Sequence, residues 1–334
     1  MTSAVPGRDR ASLQISFARY LCGDGVELGP GHAPFPLPYP GSNVRYVDRW
    51  EPESNRALFP ELAGAEFPKP DIVANLDTDR LSAIESESQD FVIASHVLEH
   101  MANPLEQVVE ISRVLRPGGI ALVLLPDRRR TFDRDRVPTS LDHLVAEYQR
   151  GVEEVDDAHI EDFLRGVGEW SDDWTDEERA ATFASHRDRS IHVHCWSEDE
   201  FVDVLVYSIT GLDLRWELLD AAFVDDVDDS IEFGYVLRKA ATVIDRDTCA
   251  ERFRAVWKVL STQSADRAAR HATLQRLAAA PAPEPAPVRS SELEQRLASF
   301  TDALRRSRLG PPLRAARRAA REMKRKLTSA ASAR

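Results

Sequence analysis

The first chemistry-bearing stretch is Val26-Glu27-Leu28-Gly29-Pro30-Gly31. An apolar run there ends in two glycines, and without Cβ atoms the backbone can pass close to a ligand. A dinucleotide fingerprint asks for a third glycine at position 34 and a helix opening behind it. Pro34 stands there instead, and Pro36, Pro38 and Pro40 follow. No row of free N–H groups is therefore expected to cradle a phosphate. Glu27, just ahead of the glycines, would repel phosphate and suits a cationic ligand, an amino acid or a sulfonium. Asp48 closes the next apolar run, VRYVD, where a carboxylate can take two ribose hydroxyls. With the polar step Asn75-Leu76-Asp77 after a third run, these residues make a nucleoside site.

Proton-moving chemistry points to the histidines. His96 and His100 lie four apart in SHVLEH with Glu99 between them, which is not the order of a zinc HExxH helix. His143 falls in SLDHLVAEY. His192 and His194, in IHVHCW, alternate as on a strand and are expected to face one side, with Cys195 and His186 nearby. Their spacing matches no standard zinc pattern, so no metal is expected and the histidines are read as pocket lining. His100, His143 and His194 are the candidates for acceptor chemistry. The run Arg128-Arg129-Arg130 either binds a substrate anion or pairs with Asp127, Asp133 and Asp135.

The elements that must position these groups are apolar runs alternating with helical patterns. Strands are expected at 25–28, 44–47, 71–76, 90–95 and 120–125, with helices at 11–21 and 104–115. Continuous apolar strands separated by helices indicate a parallel sheet covered on both faces. Pro117-Gly118-Gly119 stops the second helix. Residues 127–190, rich in Asp, Arg, Glu and Trp, read as a helical insertion at the carboxyl edge of the sheet. A helix at 198–206 precedes strands at 214–223 and 231–237, whose acidic connection implies an antiparallel pair. The expected fold is α/β and doubly wound (Rossmann-like). It has a mainly parallel seven-stranded sheet, an antiparallel last strand and a helical C-terminal extension.

In order, VELGPG, VRYVD, ANLD, DFVIASHVLEHM and LRPGG with IALVLLPD resemble the class I S-adenosylmethionine-dependent methyltransferases of the type 11 kind. The resemblance covers roughly residues 12–240. It implies S-adenosyl-L-methionine as cofactor, with Glu27, Gly29, Pro30 and Gly31 around the methionine portion and Asp48 on the ribose. It also implies Asn75, Leu76 and Asp77 beside adenine, and Ser95 and His96 at the end of strand four. Many members have Asp where this chain has Asn75. The run PDRRRTFDRDR with HVHCWS downstream resembles bacterial members associated with polysaccharide and glycan assembly, which implies a sugar acceptor, free or lipid- or nucleotide-linked. The expected activity is methyl transfer to a small-molecule or glycan acceptor, a hydroxyl first.

Composition sets the outer bounds. The 334 residues are 43% hydrophobic and 30% charged, enough for a sizeable core, and the formal charge of -13 argues against a nucleic-acid partner. Charge is uneven: residues 301–334 hold eleven basic side chains and two acidic ones. The expected divisions are a methyltransferase domain over 1–245, a helix at 246–279, a Pro/Ala linker at 280–290 and a basic helical tail at 291–334. That tail offers contact with an anionic membrane face or a protein. Three widely spaced cysteines and no apolar leader point to the cytoplasm, with peripheral attachment to the inner membrane face as the tail's option. A methyltransferase-like scaffold acting through the tail is the alternative of a different class. A nicotinamide oxidoreductase is disfavoured by Pro34 and Glu27.

Overall fold

A computed structural model describes residues 10–62, 64–227 and 229–279. Contacts divide the chain at Gln275, and the expected linker at 280–290 and tail at 291–334 lie outside the described residues.

Seven strands form one sheet: β1 (Gly23–Leu28), β2 (Ser42–Asp48), β3 (Ile72–Val73), β4 (Gln89–Ser95), β5 (Leu115–Pro126), β6 (Trp216–Ala222) and β7 (Glu232–Lys239). Their spatial order is β3-β2-β1-β4-β5-β7-β6. The first five run parallel, and β7 is antiparallel to both β5 and β6. The chain winds outward from β1 to β3 and then returns to β4 beside β1. That reversal opens a crevice at the carboxyl ends of β1 and β4, where α/β sheets bind ligands.

Period-two alternation builds a core on each face. Along β4, Val92 and Ala94 join the larger core with Leu105, Val108 and Ile111 of α3 (Pro104–Val114) and Phe201 and Leu205 of α7 (Glu198–Thr210). Phe91 and Ile93 point the other way, onto Leu13 and Phe17 of α1 (Arg10–Ala18). Such alternation is what a strand buried on both faces imposes. A helix at α8 (Arg246–Ala279) packs Phe253, Val256, Trp257 and Leu260 on the larger core.

Two expected elements change length for local reasons. The third strand stops at Val73, not residue 76, because Asn75 and Asp79 close a turn. Asp79 N–H donates to the Asn75 carbonyl at 2.7 Å, and the Asn75 N–H donates to the Asp79 carboxylate at 2.9 Å. Side chains of this type compete with strand pairing. The fifth strand begins at Leu115 and runs through Pro117-Gly118-Gly119, with its register against β4 shifting there. The insertion is helical as expected: α4 (Leu141–Arg150), α5 (Asp157–Val167) and α6 (Asp176–Arg189). It has its own small core of Ile160, Leu164, Phe183, Ile191 and Val193. Among the described residues no helix is long and apolar enough to cross a membrane.

Candidate active site

A cavity of about 400 Å³ opens at the carboxyl ends of β1 to β4. Gly29 and Gly31 both adopt φ +54°, the left-handed region that glycine enters without strain. The Gly29 N–H donates to the Val47 carbonyl at 2.8 Å, so the loop starts as a continuation of strand pairing. Around Gly31 there is open space, so backbone conformation, not crowding, selects glycine there. No helix follows; the Phe35 N–H instead donates back to Glu27 Oε1 at 2.8 Å.

Glu27 lies beneath this loop, 1% exposed, and its Oε2 has no hydrogen-bond partner. Burial pushes its pKa from 4.5 up to about 7, and the bond from Phe35 only partly offsets this. The folded value lies above the unfolded one. Its contribution to stability is therefore complete below pH 4.5 and lost as pH rises to about 7. Against Glu27→Gln, the wild-type chain should lose on the order of 3 kcal/mol between those pH values. Urea unfolding of both proteins at pH 4.5 and 8 measures the difference; an equal gap at both would refute it.

The other walls come from loops after the neighbouring strands. Asp48 ends β2 and accepts a hydrogen bond from the Trp50 N–H at 3.2 Å; burial raises its pKa. Asn75 spends its side-chain oxygen on the Asp77 N–H at 3.2 Å. Asp77 accepts from the Ala102 N–H at 2.9 Å, tying the exit of β3 to the loop after β4, and burial raises its pKa to about 6. Gly29, Gly31, Asp48, Asn75, Leu76, Asp77 and His96 all line the cavity. Glu27, Pro30 and Ser95 do not line it. The sequence reading missed Arg49 and Trp50, which directly follow Asp48, and the 188–190 segment that closes one side.

Two histidines of SHVLEH have different jobs. His96 sits at φ 55°, unusual for a residue with a Cβ, with Nε2 2.9 Å from Glu232 and Nδ1 3.5 Å from Glu99. Burial opposes its charge, but the two carboxylates outweigh that and raise its pKa to about 9, so it is a cation at neutral pH. His100 donates from Nδ1 to the Ile191 carbonyl at 2.8 Å, which leaves the Nε2 lone pair available. Burial lowers its pKa below 6.5, so it is neutral at pH 7. The Glu99 carboxylate, fully buried, stands 3.7 Å from His100 Nε2.

His143 and His194 do not line this cavity. They meet at a second one, about 340 Å³, together with Glu147 and His159. His192 and His194 therefore do not act on one side together: His192 donates from Nδ1 to Asp133 at 2.6 Å and packs on His100. The segment 191–195 is irregular, with a bend at His194, and forms no strand. His186 lies apart, against Phe163, and Cys195 turns to the Val137 carbonyl, its thiol pushed up to about 11 by burial. The arginine run is occupied by ion pairs: Arg128 with Glu200, Arg129 with Asp127 and Glu198, and Arg130 with Asp225.

The family model described as a methyltransferase domain matches residues 26–123. No curated protein matches the chain. Among solved structures, the chain is similar to the CurJ carbon methyltransferase at 14% identity and TM-score 0.36, over 66% of this chain and 49% of that one. It thus spans about half of that chain's length. A SAM-dependent methyltransferase from Thermotoga maritima, described as a possible histamine N-methyltransferase, is similar at 15% identity and TM-score 0.34, over 68% and 89%. The trans-methyltransferase CalH, in complex with SAH, is similar at 16% identity and TM-score 0.35, over 69% and 55%. The residues matched by the methyltransferase-domain model, 26–123, span the five parallel strands of the seven-stranded sheet.

Proposed function

We propose that this chain transfers the methyl group of S-adenosylmethionine to a hydroxyl of a small molecule or glycan. The observation that carries the reading is one cavity at the switch point of the sheet, walled by a left-handed glycine loop, Asp48, Asp77 and a neutral His100. The residues fit that cofactor. Carboxylates, not a phosphate cradle, surround the loop, and Glu27 keeps an orphaned buried oxygen beneath it. Bound there, the cofactor supplies an electrophilic methyl carbon on a cationic sulfur.

The chain's own residues then hold and orient. In this reading Asp48 takes the ribose hydroxyls, and Asn75, Leu76 and Asp77 flank the base. A hydroxyl acceptor needs a group to take its proton as it attacks, and we assign that role to His100, which lines the cavity and donates from Nδ1 so that Nε2 keeps its lone pair. Holding nucleophile and methyl carbon close and in line contributes most of the rate. A sugar acceptor is the choice that the PDRRRTFDRDR and HVHCWS resemblance favours.

Titration calorimetry with S-adenosylhomocysteine, with NADH as control, tests the cofactor. Micromolar binding of the first alone is expected, and Asp48→Ala should weaken it by about 1–3 kcal/mol, the scale of hydrogen bonds to a charged group. Unchanged affinity in Asp48→Ala would remove Asp48 from the site. Binding without turnover on any hydroxyl acceptor would favour a scaffold instead.

A further inference from the structure

The second cavity holds a set of side chains that methyl transfer does not use. α4 presents His143 and Glu147 one turn apart on the same face. α5 brings His159, and the irregular segment after α6 brings His194. Glu147 Oε1 lies 3.1 Å from His143 Nε2 and 3.0 Å from His159 Nε2, and Glu147 Oε2 lies 3.6 Å from His194 Nε2. His143 Nε2 and His159 Nε2 are 3.0 Å apart. All four donor atoms fall within 4.8 Å of one another.

Burial makes this arrangement costly without a further partner. Glu147 is 1% exposed and His194 is 0% exposed. Neither Glu147 oxygen, nor His194 Nε2, has a hydrogen bond of proper geometry despite the close approaches. Buried polar atoms left so cost free energy, and native proteins rarely leave several together. His159 shows the outer support that metal-bound imidazoles have. Its Nδ1–H donates to Asp156 at 2.8 Å, which fixes the tautomer and turns the Nε2 lone pair toward Glu147.

We propose that His143, Glu147, His159 and His194 bind one divalent cation of the zinc class. Three imidazoles and one carboxylate are the donor set of zinc or a neighbouring transition ion, not of magnesium or calcium. Zinc bonds of about 2.0–2.2 Å place tetrahedral ligand atoms roughly 3.3–3.6 Å apart. The four approaches quoted above lie close to that spacing, so small side-chain shifts complete the set. Four protein ligands describe a fastening, which ties α4 and α5 to the 191–197 segment. That segment reaches the first cavity: the His194 N–H donates to the Glu99 carbonyl at 3.0 Å, and the Ile191 carbonyl holds His100. The cation thereby pins the strip of backbone that orients His100.

The test uses the full-length chain and the metal alone. After chelator treatment and dialysis, zinc is titrated against a chromophoric chelator, and metal content is read by mass spectrometry. About one equivalent per chain is expected, and cobalt in its place should show the strong visible bands of a four-coordinate site. Asp156→Asn, outside the ligand set, should weaken zinc by about 10–100-fold. His143→Ala alters the most exposed ligand and should fold; it and His159→Ala should abolish stoichiometric retention. Absence of zinc uptake by the wild-type chain would overturn the proposal. So would uptake that His143→Ala and His159→Ala leave unchanged, since the metal would then lie elsewhere, with Glu99, His100 and His192 the first place to look.

Discussion

Arg136→Met is expected to destabilise the chain by about 3–5 kcal/mol, the cost of stranding a buried charge. Arg136 and Asp133 are each 1% exposed in their side chains and bond at 2.8 Å. The guanidinium also donates to the His192 carbonyl at 2.7 Å, the Val193 carbonyl at 3.1 Å and Asp162 at 2.9 Å. Methionine fills the volume but leaves two carbonyls without donors and strips Asp133 of its guanidinium, with the His192 Nδ1–H still donating to it. Lysine should rescue little, because one ammonium cannot reproduce a planar fork spanning four acceptors. Gly166 in α5 follows from the same contact: a Cβ there would collide with the Arg136 stem. Arg130→Ala is the control, an exposed pair with Asp225 that should cost only about 0–1 kcal/mol. Urea unfolding of the three variants measures this. A midpoint for Arg136→Met equal to that of Arg130→Ala would refute the argument.

Arg136 also shows where sequence reading loses its grip. Five arginines stand between 128 and 136, and the contiguous three drew attention as an anion site. Each of those finds its own acid, two of them at 198 and 200, outside the insertion. The buried one stood unremarked, because burial depends on helices and loops that return some 26 to 57 residues later. The cofactor cavity was readable for the opposite reason. Its walls are strand ends, and each strand announces itself by an apolar run closed by glycine, carboxylate or histidine. The Asn75 turn was legible in composition, yet the strand was drawn too long, since side-chain competition with β pairing acts residue by residue. His159 and Glu147 were missed for want of a spacing motif. Sixteen residues separate His143 from His159, and His194 comes much later, so only packing of α4, α5 and the 191–197 segment makes them neighbours.

His100→Ala should lower kcat for a hydroxyl acceptor by about 10²–10⁴-fold, the usual contribution of a positioned base. The cofactor's affinity should hold, since Asp48, the glycine loop and Asp77 remain in place. Loss of a structural histidine would instead lower both together, so measuring each separates the cases. The pH profile gives a second test. A base must be neutral to act, and burial puts the His100 pKa below 6.5, so wild-type kcat should stay level from pH 8 downward and fall only below pH 6.5. Glu99 opposes that shift by favouring the imidazolium, and the His96 cation helps keep Glu99 ionised. Glu99→Gln should therefore move the acid limb lower still and reduce kcat, because the charge that steadies the protonated base is gone. His100→Ala should abolish the limb, and added imidazole should restore part of the rate. If kcat is indifferent to His100, the acceptor needs no proton removed, and a neutral amine or a carbon nucleophile replaces the hydroxyl in the proposed reaction.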